Sequence, residues 1–160
     1  MGTNIYDAAV FGDLEQVREI VTADPEAVNE TDEFGFTPLH GLAGEEHLEI
    51  AQFLIDRGAK VNAANDEGIT PLHLATWPAM ATLLLKNGAD LEARSLRGET
   101  PLLVLAAEAE RADVMAVLLT AGADANAAAN DGLTALDIAL AREEVDKAAL
   151  LRRHGAKASR

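Results

Sequence analysis

Four short segments recur along this chain at nearly constant intervals: Thr37-Pro38-Leu39-His40, Thr70-Pro71-Leu72-His73, Thr100-Pro101-Leu102-Leu103 and Thr134-Ala135-Leu136-Asp137. Subtracting their positions gives spacings of 33, 30 and 34 residues. A second signature follows each: Gly58-Ala59-Lys60-Val61-Asn62, Gly88-Ala89-Asp90-Leu91-Glu92, Gly122-Ala123-Asp124-Ala125-Asn126 and Gly155-Ala156-Lys157. Two motifs in fixed alternation describe an array of one supersecondary unit, which buries its core only by stacking on its neighbours.

Each motif has a mechanical reason. Thr is a good N-cap, and Pro suits the first helical position, where its missing N–H would be unpaired anyway, so Thr-Pro opens a short helix. In the first full unit a second helix is predicted from about His47, with Leu48, Ile50, Ala51, Leu54 and Ile55 at helical spacing. Gly58 then supplies the left-handed conformation that ends it. The turn formers between Val61 and Gly68 carry the chain to the next Thr-Pro.

The unit of helix, turn, helix and hairpin-like loop resembles the ankyrin repeat, whose consensus carries Thr-Pro-Leu-His, a later Gly-Ala-Asp-Val-Asn and an Asp-x-x-Gly turn. The resemblance covers almost the whole chain and implies an all-α solenoid of stacked helix-turn-helix units joined by β-hairpin-like loops. One domain over 1–160 is expected. Its units are an N-terminal cap (4–36), a full repeat (37–69), a shortened repeat (70–99), another full repeat (100–133) and a C-terminal cap (134–160). In the first, Tyr6-Asp7-Ala8-Ala9 stands where the first helix belongs and Gly12-Asp13-Leu14 opens the second. In the last, Arg142, Glu143, Glu144, Asp146, Lys147, Arg152 and Arg153 give the polar outer face that an end repeat needs.

The shortened repeat breaks the pattern. Thr70 to Gly88 is 18 positions, against 21 from Thr37 to Gly58 and 22 from Thr100 to Gly122. Pro78, directly after Trp77, cannot continue a first helix, so this helix pair is expected to be shortened or re-angled. Trp77, the only tryptophan, has two readings: an aromatic anchor in a bent groove, or a filler of the volume the deletion leaves. The irregularity argues against an idealised consensus scaffold.

Composition bounds the function. Aromatics make up 4% of the chain, so the interior should be small and aliphatic. The absence of cysteine excludes disulfides and thiolate metal sites and agrees with a reducing compartment. The first residues show neither a basic nor an apolar signal region, and no stretch approaches the ~20 apolar residues of a membrane span; a cytoplasmic protein is expected. A formal charge of −14 opposes binding to nucleic acid or anionic membrane and favours a basic protein partner, or serves solubility alone.

No constellation points to chemistry. The resemblance implies that His40 and His73 are structural, tying neighbouring loops together. His47 opens a second helix, and His154 suits a helix C-terminus. His40, Glu45, Glu46 and His47 could be imagined around a metal, but no His-Glu-x-x-His pattern places them on one face. The only serines are Ser95 and Ser159, and no nucleophile elbow or phosphate loop is present. Glu45/Glu46 and Glu143/Glu144 read as solvated faces. No enzyme, metal or cofactor is expected.

In ankyrin arrays, partners contact the hairpin tips and the exposed face of each first helix, which line a concave groove. Carried over by position, the tips hold Glu33, Phe34, Gly35 and Phe36; Asp66, Glu67, Gly68 and Ile69; Leu96, Arg97, Gly98 and Glu99; and Asn130 to Leu133. First-helix positions are Gly44, Glu45, Trp77 and Glu108. Acidic against basic residues number 9 and 1 in 1–36 but 4 and 6 in 134–160, so the array is polarised. The resulting expectation is a monomeric protein-interaction module whose acidic N-terminal half takes a basic element anchored on Phe34 and Phe36. It would act as adaptor or stoichiometric inhibitor; an immunity or antitoxin protein masking a basic toxin is the alternative, and a metal-dependent enzyme on a repeat scaffold a distant one.

Overall fold

The computed structural model describes residues 4–159. Among them are nine α-helices: α1 (Ile5–Val10), α2 (Leu14–Ala23), α3 (Pro38–Ala43), α4 (Leu48–Asp56), α5 (Pro78–Lys86), α6 (Pro101–Ala107), α7 (Ala112–Thr120), α8 (Ala135–Ala141) and α9 (Val145–Arg153). Two 3-10 helices, Pro25–Asn29 and Pro71–Leu74, complete the regular structure. The only β pairing among the described residues is an isolated bridge between Ala128 and Thr134. The chain divides into two compact units, Met1–Ala89 and Asp90–Arg160.

The helix starts follow from local chemistry. Thr37, Thr70, Thr100 and Thr134 all adopt extended N-cap backbones with φ between −84° and −102°, and proline fills the first helical position after the first three. Asn4 and Asp13 cap α1 and α2 by accepting from Asp7 N–H and Gln16 N–H. Helix ends depend on a left-handed residue just past the last turn, which glycine adopts without a Cβ penalty; Gly58 (φ 94°) follows α4 and Gly88 (φ 89°) follows α5.

In the N-terminal unit, α1 packs on α2 and α3, and α3 on the Pro71–Leu74 turn. Leu39, Leu42, Leu54, Leu72, Met80 and Leu84 are fully buried, each stabilising the fold by about 1.5–3 kcal/mol. The C-terminal unit packs α6 on α7 and α8, and α8 on α9, around Leu102, Leu103, Leu105, Met115, Leu118 and Leu151. Asparagine side chains stitch successive loops. Asn29 donates to Gly58 O at 3.0 Å and accepts from Lys60 N–H at 2.8 Å. Asn126 repeats both bonds with Gly155 O and Lys157 N–H.

Two local expectations change. The first helix of the short repeat is a single 3-10 turn, and Pro78 occupies the first position of α5. Trp77 is therefore not on a first helix but is the N-cap of α5, with the extended backbone (φ −119°, ψ 134°) that a following proline imposes. Lys147, counted above with the polar outer face, is buried at 2% exposure. Its ammonium lies 2.6 Å from Glu144 Oε2 and donates to the carbonyls of Leu105, Ala106 and Glu108 at the end of α6, where a cation complements the helix C-terminus.

Candidate protein-binding surface

The hairpin tips of the N-terminal unit are built by short polar side chains that fold the backbone back on itself. Asp32 Oδ1 accepts from Phe34 N–H and Phe36 N–H, both at 2.9 Å. Asn65 Oδ1 does the same for Glu67 and Ile69, at 3.0 and 2.9 Å. The two tips are joined by Asp66 N–H donating to Phe34 O at 3.1 Å. Gly35 makes this approach possible: it has φ 83°, and a Cβ there would stand 3.1 Å from Asn65 Cα and Asp66 N. Glu33, Phe34, Asp66 and Glu67 are thereby brought together and exposed, Phe34 at 59%.

Phe36 and Ile69 differ from these four, because both have scaffold duties. Phe36 is half-buried, its ring edge-on to His40 with centroids 5.6 Å apart. Ile69 is half-buried, and its carbonyl accepts from His40 Nε2 at 2.9 Å. Glu45 and Trp77 lie at the other end of α3, where Trp77 Nε1 donates to Gly44 O at 3.2 Å. Trp77 is 42% exposed, which does not suit a core filler.

Tyr6 belongs to the same face and escaped the sequence reading. It sits where Gly41 of α3 leaves room: a Cβ on Gly41 would lie 2.7 Å from Val10 Cγ2 and 2.8 Å from the Tyr6 ring. Burial, and then the charges of Asp32, Asp7 and Glu45, push the Tyr6 hydroxyl pKa up. Tyr6, Asp7, Glu30, Asp32 and Phe36 line a cleft of about 370 Å³ between α1 and the first tip. The available signal was Gly41 at a helical position, which requires a bulky neighbour to cover it.

In the C-terminal unit, Leu96 is 73% exposed and Arg97 is exposed. Glu99 is half-buried and accepts from the Ser95 hydroxyl at 3.1 Å. Asn130 donates to Arg97 O and Leu96 O at 2.9 and 3.0 Å, which orders this tip.

A family model for ankyrin repeats (3 copies) matches residues 5–95 and 78–160. The chain belongs to the ankyrin-repeat family. It is 37% identical to the neurogenic locus notch homolog protein 1 of Xenopus laevis over 132 residues, 80% of this chain and 5% of that protein. The human homolog is 36% identical over 132 residues, again 80% of this chain and 5% of its length. Alpha-latrocrustotoxin-Lt1a of Latrodectus tredecimguttatus is 34% identical over 97 residues, 61% of this chain and 6% of the toxin. The chain thus spans only a small fraction of each of these relatives. Membership in the family indicates a protein-interaction module.

His40 ties its own helix start to the next loop. His40 Nδ1 accepts from Thr37 N–H at 3.0 Å while Nε2 reaches the next loop at Ile69 O, and burial pushes the imidazole pKa down. His73 Nδ1 accepts from Thr70 N–H at 3.1 Å. Among the described residues no group of three or more His, Cys, Asp or Glu is placed to hold a metal ion, and no helix is long and apolar enough to cross a membrane. Charge is unevenly divided. Residues 1–89 hold 15 acidic and 4 basic side chains, net −11, and residues 90–160 hold 12 and 9, net −3.

Proposed function

We propose that this ankyrin chain is a non-catalytic recognition module that binds a basic protein through the hairpin tips and first-helix face of its N-terminal unit. In this reading it acts as an adaptor or a stoichiometric inhibitor, and as a monomer in a reducing compartment, which a cysteine-free chain suits. The observation that carries the reading is the coincidence of the −11 charge with exposed Phe34 among Glu33, Asp66 and Glu67. A field of that sign steers a cationic partner inward, and a rigid exposed aromatic holds it once desolvated. The five repeats 4–36, 37–69, 70–99, 100–133 and 134–160 are proposed to fold as one domain, which a single unfolding transition seen by circular dichroism and by Trp77 emission would support.

Affinity capture from cell lysate tests the binding surface, with immobilised wild type beside a variant carrying Phe34→Ala, Asp66→Asn and Glu67→Gln, both checked for folding by circular dichroism. The expected result is a basic protein retained by the wild type, eluted by rising salt and lost by the folded variant. Equal retention of the same protein by both would move the surface elsewhere, and salt-insensitive retention would end the steering argument.

A further inference from the structure

Trp77 stands apart from every other large apolar residue of the N-terminal unit. Its indole N–H is already bonded to Gly44 O, yet 42% of the residue remains exposed. The indole is not what holds this connection in place. Thr76 does so already, its N–H donating to Ala43 O at 3.1 Å and its hydroxyl to Gly44 O at 3.1 Å. The ring is consequently a fixed, outward-turned aromatic face whose rotamer cost is met before any ligand arrives.

The charges around it are one-sided. The peptide that accepts the indole N–H is the Gly44–Glu45 peptide, so Glu45 begins at the very group on which Trp77 is hung. Glu45 itself is half-buried, directly after the C-cap of α3. The unit's four cations are elsewhere. Arg18 of α2 and Arg57 at the end of α4 lie 5.0 and 4.6 Å from the Phe53 ring centroid. Lys60 follows α4, and Lys86 closes α5 at the end away from Trp77. The fold thus supplies guanidinium partners to Phe53, while the exposed indole hangs on the peptide from which an acidic residue, Glu45, departs.

We infer that the Trp77 face with Glu45 is a receptor for a single cationic side chain of the partner, the cation lying over the indole and paired with the carboxylate. A cation within about 6 Å of an indole face is attracted by the ring quadrupole, and Trp is the best ring for this contact. A planar guanidinium stacks on the ring and keeps its edge N–H groups for the carboxylate, so arginine is the preferred occupant. This assignment rests on the proposed binding of a basic protein and names the chemistry of one of its contacts.

Because Trp77 is the only tryptophan, its emission reports on the site directly. Unlabelled nona-arginine is titrated into the whole protein at about 150 mM salt, near physiological ionic strength, while the polarisation of a fluorescein-labelled copy gives the affinity separately. The variants are Trp77→Ala, Trp77→Phe, Glu45→Gln and, as an equal change of charge in the other unit, Glu143→Gln, each checked by circular dichroism. The expected result is saturable quenching of Trp77 that follows the polarisation curve. Affinity falls about fivefold or more in Trp77→Ala and about threefold in Glu45→Gln, contacts of this kind contributing about 0.5–2 kcal/mol, and changes less than twofold in Trp77→Phe and Glu143→Gln. If Trp77→Ala does not fold, the emission and Glu45→Gln decide. Saturable polarisation with unchanged emission, or with no loss in Glu45→Gln, overturns the Trp77 site and leaves the basic-partner reading standing. Absence of any polarisation change overturns both.

Discussion

Thr37 and His40 hold each other at the start of α3: Thr37 N–H donates to His40 Nδ1 at 3.0 Å, and the threonine hydroxyl lies 2.8 Å from the same nitrogen. Because Nδ1 accepts, the ring proton sits on Nε2, which donates to Ile69 O at 2.9 Å. One neutral tautomer satisfies every partner, and a second proton on Nδ1 would face the Thr37 N–H. His40→Ala is expected to cost about 2 kcal/mol in urea unfolding at neutral pH, the order expected for losing buried hydrogen bonds and their shape.

The same geometry sets a pH dependence. Burial lowers the folded-state pKa of His40 below its ordinary 6.5, so the unfolded chain binds the proton more readily. The contribution is fully present above about pH 6.5 and is lost as pH falls through that value towards the folded pKa. Urea titrations at pH 7.5 and 5.5 should show a smaller loss for His40→Gln than for wild type; equal losses would assign the acid sensitivity to other groups.

Asp137 takes the histidine's place in the last Thr-x-x-x motif. Its Oδ2 accepts from Thr134 N–H and Oγ1–H at 2.9 and 2.7 Å, and its Oδ1 from Ser159 N–H at 2.9 Å. Desolvation opposes the charge, but these bonds from Thr134 and Ser159 outweigh it and bring the carboxyl down to about 2. The folded pKa lies below the unfolded 3.8, so this stabilisation is present above about pH 3.8 and lost as pH falls towards 2. Carboxyl carbon shifts of Asp137 followed by NMR should titrate near 2, and Asp137→Asn should abolish the Ser159 amide's protection from exchange.

Removing Lys147 takes one donor from each of the carbonyls of Leu105, Ala106 and Glu108 at the end of α6, of which Leu105 O still accepts from Glu108 N–H. Lys147→Ala is expected to destabilise by about 3 kcal/mol, the order seen when one member of a buried charged network is deleted. Hydrogen exchange should rise first at the end of α6 and in α9. Unchanged protection in both would mean that the ammonium contributes nothing to their packing.

Among the described residues, Glu110 and Glu143 are the two non-glycine residues with positive φ, at 57° and 58°, where Gly12 has 79° in the corresponding loop after α1. A left-handed conformation costs an ordinary residue roughly 1–2 kcal/mol, partly offset when glycine adds freedom to the unfolded chain. Glu143→Gly is therefore expected to stabilise by about 0.5–1 kcal/mol, a net gain of ordinary size for such a change. A lowered melting temperature would show that the Glu143 side chain contributes more than its backbone costs.

The legible part of the site was the part built by nearest neighbours. Phe34 and Leu96 stand exposed at tips that a reading of turn residues could locate, since Asp32 and Ser95 fold those loops from two to four residues away. Phe36 and Ile69 sit at equivalent tip positions, and both differ from Phe34 through His40. The Phe36 ring meets that imidazole four residues on, a local contact, whereas the Ile69 carbonyl reaches it from 29 positions away across a fold that only stacking creates. Tyr6 was invisible for the same reason, because its seat is an absent side chain 35 positions away at Gly41.

What the sequence by itself determined is the alternation of helices and loops, because Thr-Pro starts and glycine ends are set by the capping chemistry and φ preference of single residues. It also determined that the charge lies mostly in the first half of the chain. Tertiary structure alone decided that Lys147 is buried on α6 instead of facing solvent, and that Trp77 is held by Gly44, 33 residues before it, with its face outward. Both outcomes depend on groups brought together by packing, where a carbonyl left open by one repeat is satisfied by a side chain of the next.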